Sequence, residues 1–128
     1  MMNFTGCTLL IKDDFGNILV LKKKVKKGQK EIWSLLTQKI KGKESNEKCI
    51  NKSVNKILKT IVFDLKQFNE YVIDSENNEG IKVYLGDLKG KFVLDKSYDE
   101  AKWINKNDLD GYEFDEIDKK IIVDYYNL

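Results

Sequence analysis

The chemistry open to this chain rests on carboxylates and lysines, because histidine and arginine are both absent. Without histidine, the commonest general base and the commonest metal-binding nitrogen are missing. Without arginine, no bidentate fork can grip a phosphate, and lysine is left as a point charge. The candidate acids are Glu44 and Glu47, at the head of a lysine-rich segment, and Asp99 and Glu100, just ahead of Trp103. Two groups of lysines stand out. Lys22, Lys23, Lys24, Lys26, Lys27 and Lys30 crowd one stretch, and Lys48, Lys52, Lys56 and Lys59 recur through another. Clustered carboxylates hold a divalent cation such as Mg²⁺. Clustered lysines neutralise phosphate without orienting it well.

The elements that must position these groups follow from periodicity. Residues 45–61 predict a helix capped by Ser45, with Glu47 in the first turn where negative charge is favoured. On a step of about 100° per residue, Ile50, Val54, Ile57, Leu58 and Ile61 share one face and are expected to be buried. Lys48, Lys52, Lys56 and Lys59 share another. Cys49, Ser53, Lys56 and Thr60 form the strip between. Residues 5–12 and 17–24 predict aliphatic strands joined by the Asp13–Asn17 turn. Residues 25–31 form a basic loop, and Ile32–Leu36 a short strand. Further strands are expected at Phe68–Asp74 and Ile81–Leu88, with shorter ones at Phe92–Leu94 and Ala101–Ile104. A final helix over 115–127 is read from Ile117, Ile121, Tyr125 and Leu128.

The segment from Trp33 to Thr60 resembles the catalytic box of the Nudix (MutT-like) hydrolases, G-x5-E-x7-R-E-U-x-E-E-x-G-U with U aliphatic. Trp33 and Leu35, Lys39 and Ile40, and Glu44 and Ser45 set the register. Gln38 then stands for the first glycine and Glu44 for the first glutamate. Lys52 stands for the arginine, Ser53 for the next glutamate and Val54 for the aliphatic residue. Lys56 and Ile57 occupy the two metal-binding glutamate positions, Lys59 the second glycine and Thr60 the last aliphatic. Only Glu44 and Val54 survive intact. The opening strand–turn–strand ending in Lys22 and Lys23, and the Glu100, Trp103, Asp108 and Leu109 pattern, extend the resemblance over about residues 5–127.

The resemblance implies an α/β fold, a Nudix-like α/β/α sandwich with a mixed β-sheet between helices. It implies a hydrolase of nucleoside diphosphate-linked compounds by descent, weak or inactive because the metal-binding glutamates are replaced. Lys56 sets an ammonium where a cation belongs, and Ile57 extends the apolar face. No cofactor is expected, and Mg²⁺ or Mn²⁺ only if activity is retained. Glu44 is the one candidate catalytic acid, and a rearranged metal site would draw on Glu44, Glu47 and Glu100. Lys22, Lys23, Lys52 and Lys56 are the candidate phosphate contacts. Each has a plainer reading: Glu44 as a helix-terminal charge, Asp99–Glu100 as a solvated turn, the lysines as a solvated loop. The alternative is a non-catalytic nucleotide- or anion-binding module, or a protein-interaction module, on the same fold.

Composition sets the remaining bounds. The 128 residues, 41% apolar, suit one domain spanning 1–128. No apolar run approaches the ~20 residues of a membrane span. The opening residues show no basic region followed by an apolar core. With Cys7 and Cys49 read as buried thiols, a cytoplasmic home is expected. A net charge of +2 is too small to argue for nucleic acid. Trp33 and Trp103 are read as packing residues, a small nucleotide-like molecule is the expected ligand, and the resemblance allows a homodimer.

Overall fold

The structure, a computed structural model, describes residues 2–127. Met1 and Leu128, the latter part of the expected helical repeat, lie outside the described residues. The chain runs β1 (Asn3–Ile11), β2 (Ile18–Lys23), β3 (Trp33–Ser34), β4 (Leu36–Lys39), α1 (Asn46–Leu58), β5 (Val62–Asp74), β6 (Glu79–Leu88), β7 (Tyr98–Ile104) and α2 (Glu116–Tyr126).

The strands form two sheets, ordered β4-β1-β6-β5 and β3-β2-β7. β1 and β6 are parallel, whereas β1–β4, β5–β6, β2–β3 and β2–β7 are antiparallel. The turn between β1 and β2 is built by Asp13, whose Oδ1 accepts the Phe15 and Asn17 N–H groups at 2.9 and 2.8 Å. Gly16 there adopts φ 82°, a conformation that glycine takes without steric cost.

Strand alternation sorts the core onto two sides. Cys7, Leu9 and Ile11 of β1 and Leu19 and Leu21 of β2 pack with Cys49, Ile50, Val54, Ile57 and Leu58 of α1. Leu10, Ile18 and Val20, the intervening residues, pack instead with Ile121 and Ile122 of α2. The two helices therefore cover opposite faces of a mixed sheet layer, the sandwich expected from the sequence.

Several boundaries differ from expectation. α1 stops at Leu58 because Lys59 turns left-handed (φ 54°) and its N–H bonds back to Asn55. Ile61, expected on the buried face, is consequently 59% exposed. Phe92–Leu94 is not a strand. That segment instead satisfies the end of α1, with Val93 N–H donating to Leu58 O at 2.9 Å and Asp95 N–H to Ile57 O at 2.7 Å. These are carbonyls that a helix end leaves without partners. The expected strand 32–36 divides at Leu35, whose N–H donates to the Asp118 carboxylate. β5 begins earlier than expected, at Val62, and carries three register shifts and a left-handed Asp64 along an outer edge of its sheet. Trp33 is buried against Tyr112 as expected, but Trp103 is 41% exposed.

Candidate functional site

The box helix begins at Ser45, which is extended and accepts the Lys48 N–H on its hydroxyl at 3.1 Å. Glu44 immediately precedes it. One carboxylate oxygen accepts the Lys41 N–H at 3.0 Å, and the other meets the Lys52 ammonium at 3.0 Å. The backbone N–H of Lys41, then Lys52, hold the Glu44 carboxyl below its ordinary value. The surviving acid and the surviving basic position of the motif are thus paired with each other.

The replaced positions are occupied differently. Ser53 is buried and its hydroxyl donates to the Cys49 carbonyl at 2.8 Å, one turn back. Ile57 lies in the core against the sheet. Lys56 is exposed, and its carbonyl accepts the Lys59 ammonium at 2.6 Å. Lys59 stands where the motif has glycine, and its left-handed backbone is the conformation that glycine adopts best.

A divalent metal, which the resemblance implies, does not fit this donor set. Mg²⁺ takes oxygen donors in near-octahedral array, commonly one or two carboxylates with waters and substrate oxygens. Here the strip presents a hydroxyl already donated, an ammonium and an alkyl chain. Among the described residues, no group of three or more His, Cys, Asp or Glu side chains is placed to hold a metal. Of the acids considered for a rearranged site, Glu47 sits in the first turn of α1, and Glu100 is 3.7 Å from the Lys22 ammonium and 3.7 Å from that of Lys102.

Lys22, at the end of β2, is buried against the Trp33 ring, 5.5 Å from its centroid. Glu31, Asp99 and Glu100 converge on its ammonium at 3.3, 3.4 and 3.7 Å. Burial pulls its pKa down, but hydrogen bonds to Glu31 and Asp99 outweigh that and the net shift is upward. Its charge is therefore matched from within the protein.

Lys23 lies elsewhere, in the wall of an open cleft of about 930 Å³. The cleft runs between β1 and β4 on one side and the basic loop with the start of α2 on the other. Lys23, Lys30 and Lys39 line it together with Thr37, Gln38 and the acids Glu79, Asp115, Glu116 and Asp118. Lys30 also pairs with Glu113 at 2.6 Å. Lys52 and Lys56 do not line the cleft, so the structure does not gather the four candidate phosphate contacts into one place. Among the described residues, Lys23 and Lys56 have no carboxylate within ion-pair distance.

Asp118 is the group that the sequence reading missed. It is 5% exposed, and its carboxylate accepts the Leu35 N–H at 3.3 Å. Burial, and then the negative charge of Asp115, push its pKa up to about 7. The signal was present in the sequence: an acid on the same face of α2 as Ile121, Ile122 and Tyr125. A buried carboxyl that titrates near neutrality in a cleft wall can donate or accept a hydrogen bond there.

No protein-family model matches the sequence, and no curated protein matches it. Solved structures match its fold closely. A MutT structure from a study of the Aliivibrio salmonicida and Vibrio cholerae proteins superposes with a TM-score of 0.75 at 18% identity, covering 95% of this chain and 99% of that one. The MutT Nudix hydrolase of Burkholderia pseudomallei gives 0.77 at 20% identity, covering 94% and 96%. The Nudix domain of Shewanella oneidensis NrtR, complexed with ADP-ribose, gives 0.71 at 13% identity, covering 99% and 88%. The chain has the Nudix fold. Among the described residues, no helix is long and apolar enough to cross a membrane.

Proposed function

We propose that this chain is a Nudix-superfamily protein that holds a nucleotide-like ligand in the cleft beside Asp118 and has lost metal-dependent hydrolysis. The observation that carries this reading is the state of Glu44. Both of its oxygens are engaged, by the Lys41 N–H and the Lys52 ammonium, while positions 53, 56 and 57 supply no carboxylate. Fold and activity are separate inferences, and the fold does not restore missing ligands.

The cleft supports a binding role. Lys23 and Lys39 supply positive charge for a diphosphate at the β2 and β4 walls, away from Asp115 and Glu116 at the start of α2, and Asp118 supplies a buried polar group for a sugar or base. The likeness to a Nudix domain that carries ADP-ribose makes that compound the natural first probe.

The test is thermal unfolding of the chain with ADP-ribose or nucleoside diphosphates, each with and without Mg²⁺. The expected result is a ligand-dependent rise in melting temperature that needs no Mg²⁺ and shrinks in Lys23→Ala. Stabilisation that requires Mg²⁺, or turnover with Mg²⁺ or Mn²⁺ clearly above that of Glu44→Gln, would overturn the loss of hydrolysis. No response to any nucleotide would overturn the ligand class and favour a protein-interaction role.

A further inference from the structure

Cys7 and Cys49 lie 42 residues apart in sequence, on β1 and in the early part of α1, yet their sulfurs approach to 2.8 Å. A disulfide bond is about 2.04 Å long, so the sulfurs must close by roughly 0.8 Å. We propose that these two thiols are a built-in disulfide site that fastens the box helix to the sheet when the chain meets a low-molecular-weight disulfide.

The surroundings define how the site reacts. Both side chains are buried between α1 and the four-stranded sheet, and Cys7 lines, with Leu9, Leu36, Gln38, Ile50 and Ser53, a gap that has no room for a water. The Cys7 thiol donates to the Cys49 sulfur, and the Cys49 thiol donates to the Lys39 carbonyl at 3.7 Å. Burial, and then the contact with Cys49, raise the pKa of Cys7, so in the closed state the Cys7 thiol resists deprotonation. Access comes through β4. This strand is four residues long, lies at the sheet edge, covers Cys49 through Lys39 and pairs with Cys7 through Gln38. Short edge elements open locally at far lower cost than the whole fold.

In the opened state Cys49 releases its proton to solvent and the thiolate attacks one sulfur of the reagent, RSSR, each RS⁻ that leaves taking up a proton from solvent. The Cys49–SR bond forms and one RS⁻ leaves. Cys7 then releases its proton to solvent, and its sulfur attacks that of Cys49. The Cys7–Cys49 bond forms and the second RS⁻ leaves. Two protein thiols are oxidised and one small disulfide is reduced to two thiols. The product closes a long loop, which restricts the unfolded chain.

The experiment incubates the full chain in graded mixtures of oxidised and reduced glutathione. The protein is then denatured in acid, alkylated and weighed intact. The expected result is a species that takes no alkyl group, weighs two hydrogens less than the reduced chain, melts at a higher temperature and reverts with dithiothreitol. Its rate of formation should rise at least tenfold in sub-denaturing urea. Cys7→Ala and Cys49→Ala should each give at most a mixed disulfide, with no rise in melting temperature. Two alkylatable thiols at every ratio, with and without urea, would overturn the proposal, as would oxidation only to mixed disulfides or to disulfide-linked dimers.

Discussion

The Lys52 ammonium sits 3.0 Å from Glu44 Oε2, and the pair bridges eight residues across the start of the box helix. Glu44 is held below its ordinary value of 4.5, first by the Lys41 N–H and then by Lys52. A depressed carboxylate adds stability above its unfolded pKa and loses it as pH falls through the folded one. A double-mutant cycle of Glu44→Gln and Lys52→Met should therefore show a favourable coupling near pH 7. In denaturant titrations that coupling should fade below about pH 4.5. A coupling that persists in acid would mean the two side chains interact other than as an ion pair.

Ile57 and Lys56 occupy neighbouring positions of the motif but opposite environments. Ile57→Glu should cost at least ~3 kcal/mol in urea unfolding, from lost burial and a carboxylate in the core. Lys56 is exposed, and Lys56→Glu should stay within about 0.5 kcal/mol of the parent. Restoring glutamate at 53, 56 and 57 together should then yield a destabilised chain, because Ser53 and Ile57 are both buried. If that variant still folds, calorimetry should detect Mn²⁺ binding, which the alignment of the motif requires.

Asp118 predicts a pH dependence of opposite sense. Its pKa rises from 3.8 to about 7 on folding, so between these values the folded chain binds a proton that the unfolded chain has released. Stability from this group is full at low pH and declines as pH rises toward 7. Asp118→Asn should flatten that decline and raise stability at pH 8 by roughly 2–4 kcal/mol. It keeps an acceptor for the Leu35 N–H. Unfolding curves from pH 4 to pH 8 check this.

Lys59 carries a left-handed backbone with a β-carbon. Lys59→Gly should stabilise the chain by about 1 kcal/mol, less what is lost with the contacts to Lys56 O and Asp95. A clear loss on chemical unfolding would show that those contacts outweigh the backbone conformation.

Much of the architecture was legible because the signals were local. β1, β2 and β6 are apolar runs bounded by turns, and α1 carries a capping serine and an apolar face that all falls within one core. What was not legible depended on partners distant in sequence. The N–H of Leu35 divides one strand into two because an acid 83 residues away takes it. Phe92–Leu94 has strand-forming residues, but its backbone is claimed by the end of α1. β5 is longer than the expected Phe68–Asp74 because its pairing with β6 extends it through a first half that alternates poorly. At the site, the replaced glutamates were visible as residue types. The pairing of Lys22 with Glu31, Asp99 and Glu100, and the burial of Asp118, arise only when loops and strands meet.

The irregular β5 has a further consequence. An outer strand of 13 residues, with Phe63, Val72 and Ile73 each more than two-fifths exposed, would ordinarily template the addition of another chain. Its bulges and the kink at Asp64 break the even ladder of donors and acceptors that such templating needs. Polymerisation resistance is thus written into the irregularities of this strand, and a version of β5 ironed straight would be the form that builds fibres.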